Sequence, residues 1–107
     1  MYATIRRYTP KSGTVTANDI RQLKQRLQDK FVPIVREVPG FHSYYAIDIG
    51  GAQLLTVSVF DDKNGCAEST RQAAEFVKSD ALRDRLGTPE VMEGEVLATK
   101  EAMAGAH

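Results

Sequence analysis

Two adjacent glycines, Gly50-Gly51, lie between two runs rich in β-branched and aromatic residues, Phe41–Ile49 (FHSYYAIDI) and Ala52–Phe60 (AQLLTVSVF). Glycine reaches positive φ without steric cost, so such a pair closes a tight hairpin and makes the two runs antiparallel neighbours. The rest of the chain is arranged around this hairpin. Upstream, Tyr2–Tyr8 alternates Ala3, Ile5 and Arg7 with Tyr2, Thr4, Arg6 and Tyr8, which predicts a strand. Pro10, Ser12 and Gly13 break it. Thr16, three residues before Asp19, predicts a helix N-cap of the capping-box kind. The apolar stripe Ile20, Leu23, Leu27, Phe31, Ile34, Val35 and Val38 then gives one buried helix face. Pro33 lies inside that stripe and predicts a bend near residues 29–33 or a separate last turn; Pro39-Gly40 ends the element. Beyond the hairpin, Asp61-Asp62 and Asn64-Gly65 read as a turn. A second helix follows, with Cys66, Thr70, Ala73, Ala74 and Val77 inward. Ser79-Asp80 interrupts it, and Leu82 and Leu86 continue its inner side through a short turn that Gly87 stops. A last strand is expected over 90–98, and the tail at 101–107 reads as disordered.

The order is thus β-α-β-β-α-β, an α+β, ferredoxin-like arrangement with a four-stranded antiparallel sheet and both helices on one face. The chain has 107 residues, enough for one domain, placed at 1–100. Apolar residues occur at both strand parities: Tyr45, Ile47 and Ile49 on one strand, and Leu55, Val57 and Val59 against Leu54 and Phe60 on the next. Both sheet faces therefore need cover. Two helices supply one, and a second copy of the chain is the expected cover for the other, giving a homodimer through the sheet faces and a dimeric α/β barrel.

Fourteen basic and fourteen acidic residues cancel, but not evenly along the chain. Residues 1–38 hold eight basic side chains against three acidic, and the remainder six against eleven, so the two parts have opposite charge. The basic residues from Arg21 to Lys30 alternate with glutamines and an aspartate on the wet side of a helix and have no aromatic platform, so no nucleic-acid partner is expected. No apolar run is long enough to cross a bilayer, so no membrane partner is expected either. The start MYATIRRYTPK has no apolar signal core, and a single cysteine, Cys66, suits a reducing compartment, so a cytoplasmic location is expected. His42, Cys66 and His107 are too few to hold a borderline metal, and no metal or other cofactor is expected.

Polar chemistry concentrates on the hairpin. His42, Tyr44 and Asp48 share one strand parity, which predicts a common sheet face, with Tyr45 in the core on the other side. His42 is the candidate catalytic base and Tyr44 the candidate group that orients a substrate oxygen, although a solitary histidine at a strand start also serves ordinary surface roles. Arg6 and Arg7 point to opposite faces, so one of them enters the protein or an interface. Arg6 is the candidate for binding an anionic group or pairing with a carboxylate. Register decides the neighbours. With Gly50-Gly51 as the whole loop, His42 faces Val59 and Tyr44 faces Val57. With Ala52 as a third loop residue, His42 faces Phe60 and Tyr44 faces Ser58. Cys66 near a helix start has no basic neighbour in sequence and reads as a small buried side chain.

The strand YATIRRY, the helix end VPIVREVPGF, the following YYAIDIGG, VSVFDD before the second helix and the later AAEFVKSDAL together resemble the antibiotic-biosynthesis monooxygenase (ABM) superfamily. The resemblance spans residues 2–98 in short, degenerate motifs. It implies a ferredoxin-like monomer that dimerises into an α/β barrel with a ligand pocket between sheet and helices. It also implies cofactor-independent oxygenation of phenolic or quinol-like aromatics as one activity of the group and haem degradation as another. The haem-degrading branch has an Asn on the first strand and a Trp and a His on the second helix. The corresponding positions here are Arg6, Phe76 and Leu86, and the chain contains no tryptophan, so haem degradation is not expected. For the oxygenase reading the candidates are His42 and Tyr44 as catalytic residues and Arg6, Phe60 and Phe76 as substrate-binding ones. The expectation is a dimer that binds a small aromatic molecule, as an oxygenase or as a non-catalytic ligand-binding or dimerisation module.

Overall fold

Strand residues alternate between two environments, and in this chain the alternation places hydroxyls rather than aliphatics under the helices. The computed structural model describes residues 1–11 and 15–100. Strand β1 (Tyr2–Tyr8) is followed by helix α1 (Ala17–Arg26), a π-helical turn (Leu27–Phe31) and the short helix α2 (Val32–Val35). Strands β2 (Phe41–Gly50) and β3 (Gln53–Phe60), helix α3 (Lys63–Ser79) and strand β4 (Glu90–Glu95) complete it. The sheet order is β2-β3-β1-β4 with every neighbouring pair antiparallel. This is the β-α-β-β-α-β, ferredoxin-like arrangement expected. The fourth strand ends at Glu95, short of the expected 98, and the 101–107 tail, like Ser12 and Gly13, lies outside the described residues.

Thr16 caps α1 as the sequence implied: its hydroxyl accepts from Asp19 N–H, and the Asp19 carboxylate accepts from Thr16 N–H. Pro33 has no N–H to offer the Asp29 carbonyl, and just ahead of it the helix widens, with Val32 N–H donating to the Leu27 carbonyl five residues back. A π turn advances more residues per revolution than an α-helix. Leu27, Phe31 and Val35, spaced by four, therefore stay in line toward the core, all three buried. The same widening corrects one member of the expected stripe: Ile34 is turned outward and exposed.

The glycine pair does make the hairpin turn, with φ of +86° at Gly50 and +64° at Gly51, and Ala52 joins it at φ +59°. Counting Ala52 in the loop gives the second of the two registers, with Tyr44 opposite Ser58. A bulge near the start of β2 changes the rest. Phe41 faces Phe60, and Ser43 faces Val59, leaving His42 as the extra residue. His42 is therefore not opposite Phe60 and does not share the face of Tyr44 and Asp48. Asn64-Gly65 is likewise not a separate turn. Asp62 caps α3, its carboxylate accepting from Asn64 and Gly65 N–H, so both residues form the first helical turn.

Register assigns the two sheet faces. Tyr2, Thr4, Arg6 and Tyr8 on β1 and Leu54, Thr56, Ser58 and Phe60 on β3 lie on one side, against the helices. The core there combines Leu23, Leu27, Phe31, Val35, Leu54, Phe60, Leu82 and Leu86 with a buried polar island of Thr4, Arg6, Thr56, Ser58 and Ser69. On the opposite side stand Ile5, Leu55, Val57, Val59, Tyr45, Ile47 and Met92, with no helix over them. Tyr45, expected in the core, is 59% exposed because its face is the uncovered one.

Phe60 anchors α3 onto the sheet. It is fully buried, meets Phe41 edge to face at 5.8 Å between centroids, and seats its ring against Gly65. A Cβ at position 65 would come within 2.6 Å of the Phe60 ring. Gly65→Ala should therefore destabilise the protein by about 1–3 kcal/mol, read as a lower midpoint in urea denaturation. An unchanged midpoint would refute this close seating.

Candidate functional site

The space between the sheet and the helices narrows to a cavity of about 20 Å³ walled by Arg6, Tyr8, Phe31, Tyr44, Thr56, Phe76 and Asp80, among others. That is room for one water molecule, not an aromatic ring. Two open grooves flank it. One, of about 310 Å³, lies between α1 and the edge strand β2 and is lined by Ile20, Lys24, Val32, Tyr44, Ala46 and Asp48 among others. The other, of about 300 Å³, lies between the end of β1, α3 and residues 82–89. Tyr44 borders the cavity and the first groove; Arg6 and Tyr8 border the cavity and the second.

Tyr44 reaches this position because it pairs with Ser58, on the helix side of the sheet. Its ring tilts against Phe31 at 5.3 Å, and Phe31 meets Phe76 at 5.6 Å, so three aromatic rings form one wall. Burial pushes the Tyr44 hydroxyl well above the ordinary tyrosine range, opposed by the positive charge of Arg6. Tyr8 is raised for the same first reason, with Arg6 again pulling it back. Both phenols are thus protonated donors near neutral pH.

Arg6 is 1% exposed. Its Nη1 donates to Thr70 Oγ1 at 3.2 Å and to Ser69 Oγ at 3.4 Å, and its Nη2 donates to Ser58 Oγ at 3.2 Å. Every one of these acceptors is neutral. The Arg6 Nε and the Thr56 and Thr4 hydroxyls, all buried, have no hydrogen-bond partner. Of the two roles open to Arg6, the carboxylate pair is not formed among the described residues. A buried guanidinium without a counter-ion is costly, because dispersed hydroxyl dipoles replace only part of its hydration.

The remaining candidates lie elsewhere. Phe76 is on the aromatic wall, as expected. His42 stands outside the cavity, its Nε2 2.5 Å from Asp61 Oδ1 on the exposed end of the hairpin. Phe60 packs on Phe41 and Gly65 and borders neither the cavity nor the two flanking grooves. Cys66 is buried and its thiol is raised, chiefly by burial, which suits a packing role. Sequence reasoning missed Tyr8, Phe31, Thr56 and Asp80 as wall residues. Tyr8 shares the parity of Arg6 and could have been found that way; Asp80 could not, because its placement depends on the path after α3. There, Asp80 accepts from Arg26 Nε at 2.7 Å and Nη2 at 3.0 Å and from Leu82 N–H at 3.0 Å. This pair links the basic first part of the chain to the acidic second part. No group of His, Cys, Asp or Glu side chains among the described residues is arranged to hold a metal ion. No helix among them is long and apolar enough to cross a membrane.

No protein-family model and no curated protein matches the sequence. Solved structures match the fold at low identity. NE2512, of unknown function, from Nitrosomonas europaea is 18% identical with a TM-score of 0.70 over 95% of this chain and 94% of that one. SnoaB, a cofactor-independent oxygenase from Streptomyces nogalater, is 15% identical with a TM-score of 0.62 over 92% and 94%. A MhuD mutant with two manganese protoporphyrin IX molecules bound per active site is 13% identical with a TM-score of 0.66 over 95% and 100%. The chain shares the ferredoxin-like fold of these structures, in agreement with the order of its elements.

The Asp80 carboxyl feels burial first, which would raise it. The hydrogen bonds from Arg26 and Leu82 together outweigh that and hold it below the usual carboxylate range. Its folded value being the lower one, its contribution to stability is complete above the unfolded value of about 3.9 and is lost as the pH falls through the folded value. Asp80→Asn should cost about 1.5–3 kcal/mol at neutral pH and flatten the acid limb of the stability curve. Wild type and variant showing parallel acid limbs in urea titrations would refute the pairing.

Proposed function

We propose that the protein is a homodimer, joined through its uncovered sheet faces, that binds a small phenolic or quinol-like aromatic molecule in the groove between α1 and β2. The observation that carries the ligand reading is the groove itself: it lies open beside an edge strand, with the Tyr44 hydroxyl protonated at its border and the rings of Phe31 and Phe76 behind. An aromatic ring packs against Tyr44 and the aliphatic Ile20, Leu27 and Val32 that line the groove, and a phenolic oxygen accepts from Tyr44. Binding of 1-naphthol, followed by its fluorescence, should be saturable, fall at least tenfold in Tyr44→Ala and change only a few-fold in Tyr44→Phe, which keeps the ring. No saturable binding by the wild type, or equal binding by all three proteins, would overturn it and favour a pure dimerisation module.

The likeness in fold to a cofactor-independent oxygenase supports a catalytic version of the same reading. In it, an electron-rich quinol-type ring gives four electrons to dioxygen. A ring-attached methylene becomes a carbonyl with one oxygen atom, and the other leaves as water, so no further reductant enters. Tyr44 holds the substrate oxygen, and His42, set apart from Tyr44 by the bulge and bound to Asp61, takes no part. Oxygen uptake with anthrone above the protein-free rate, lost in Tyr44→Ala, is the expected result for this version. Saturable binding without uptake would leave the protein a carrier or sensor.

The dimer follows from the aliphatic sheet face, on which Tyr45 and Ile47 are exposed. Sedimentation at micromolar concentration should show a species of twice the 11.8 kDa chain mass, and Ile47→Asp should convert it to monomer. A wild type that sediments as a monomer would remove the dimer and leave the ligand reading standing.

A further inference from the structure

We propose that the second groove, between the end of β1, α3 and residues 82–89, is a binding site for a small organic oxyanion, with Arg6 at its floor receiving the charge. Two independent observations lead there. The first is the buried Arg6 side chain, whose hydrogen-bond partners are all neutral hydroxyls and whose Nε has none. Folding leaves this charge without a counter-ion, so a ligand carrying one gains a charge-assisted contact that the protein has already desolvated. The second is the composition of the groove. Lys11 and Arg83 lie at its sides, Thr70 beside Arg6, and Val77 and Leu86 along its apolar wall; no acidic side chain is among its lining residues. Cations at the sides attract an anion, and the aliphatic wall suits a carbon body attached to it.

Two acids lie close by and both are engaged. Asp84 pairs with Arg83 at 3.7 Å on the exposed rim, and Asp80, which borders the cavity that Arg6 also lines, has its carboxylate held by Arg26 and by Leu82 N–H. Tyr8 also lines the groove, as a protonated phenol that can donate to the same oxyanion. The ligand head group thus meets the guanidinium and a hydroxyl donor together. A carboxylate and a phosphate ester both satisfy this chemistry, and the groove volume of about 300 Å³ accommodates a single-ring body with either.

This site is separate from the α1–β2 groove, so either can fail without the other. The test uses benzoate, phenyl phosphate and neutral benzyl alcohol with the full chain, followed by amide chemical shifts. Benzoate or phenyl phosphate should bind saturably, with the largest shifts at residues 70–77 and 86–89 and at least tenfold more tightly than benzyl alcohol. Whichever of the two binds more tightly identifies the oxyanion. Arg6→Met should abolish this preference with thermal stability equal or higher, since it removes an uncompensated buried charge; Arg83→Gln should weaken binding and its salt dependence without touching the core. Equal binding of benzyl alcohol, shifts elsewhere, no binding of either anion, or an undiminished preference in Arg6→Met would overturn the proposal. If Arg6→Met does not fold, the contrast with benzyl alcohol and the Arg83→Gln result decide it. Inorganic phosphate competing as well as phenyl phosphate would reduce the site to an adventitious ion only and overturn the organic ligand.

Discussion

The structure is organised by which way strand β3 faces. Its aliphatic residues, Leu55, Val57 and Val59, point away from the helices, while Thr56 and Ser58 point toward them between Leu54 and Phe60. A strand in an ordinary two-layer domain would do the reverse. Two consequences follow from this one parity. The helix-covered side contains a polar island into which Arg6 can extend, because Ser58, Ser69 and Thr70 are there to accept from it. The uncovered side is left aliphatic, and it is the face through which the proposed dimer joins.

The island explains why the space between the layers is nearly filled. Arg6 lies between the sheet and the helices, and with the ring wall of Phe31, Tyr44 and Phe76 it closes the remaining volume to that of a single water. The remaining open space is thereby divided into two grooves with different chemistry, one bordered by Tyr44 and aliphatic side chains, the other by buried and lateral cations. The π turn is part of this division. It holds Leu27 and Phe31 on one line with Val35, so that Phe31 meets both Tyr44 and Phe76. Pro33, which interrupts the regular helix, thus positions the aromatic wall as well as bending the element.

Much of this was legible in the chain. The alternation in Tyr2–Tyr8, the Thr16–Asp19 cap, the Gly50-Gly51 turn and the aliphatic excess at both parities are local patterns, and each is decided by groups within a few residues of one another. Of the candidate site residues, Arg6, Tyr44 and Phe76 are brought together around one cavity, and His42 and Phe60 are not. The difference has one cause for His42: a single inserted residue at the start of β2 removes it from the parity it shares with Tyr44 in sequence. For Phe60 the cause is Gly65, a helix position bare enough to seat the ring and draw it away from the cavity.

The elements, their order and the apolar character of both sheet faces are set by local pattern, because hydrophobic periodicity, capping and glycine turns act over one to four residues. The bulge at His42 follows from strand register, and the outward turn of Ile34 from a widened helical turn that a regular period does not foresee. The Arg26–Asp80 link, and a set of Arg6 partners that among the described residues includes no carboxylate, depend on contacts between residues more than fifty positions apart, for which the local pattern of side chains holds no signal.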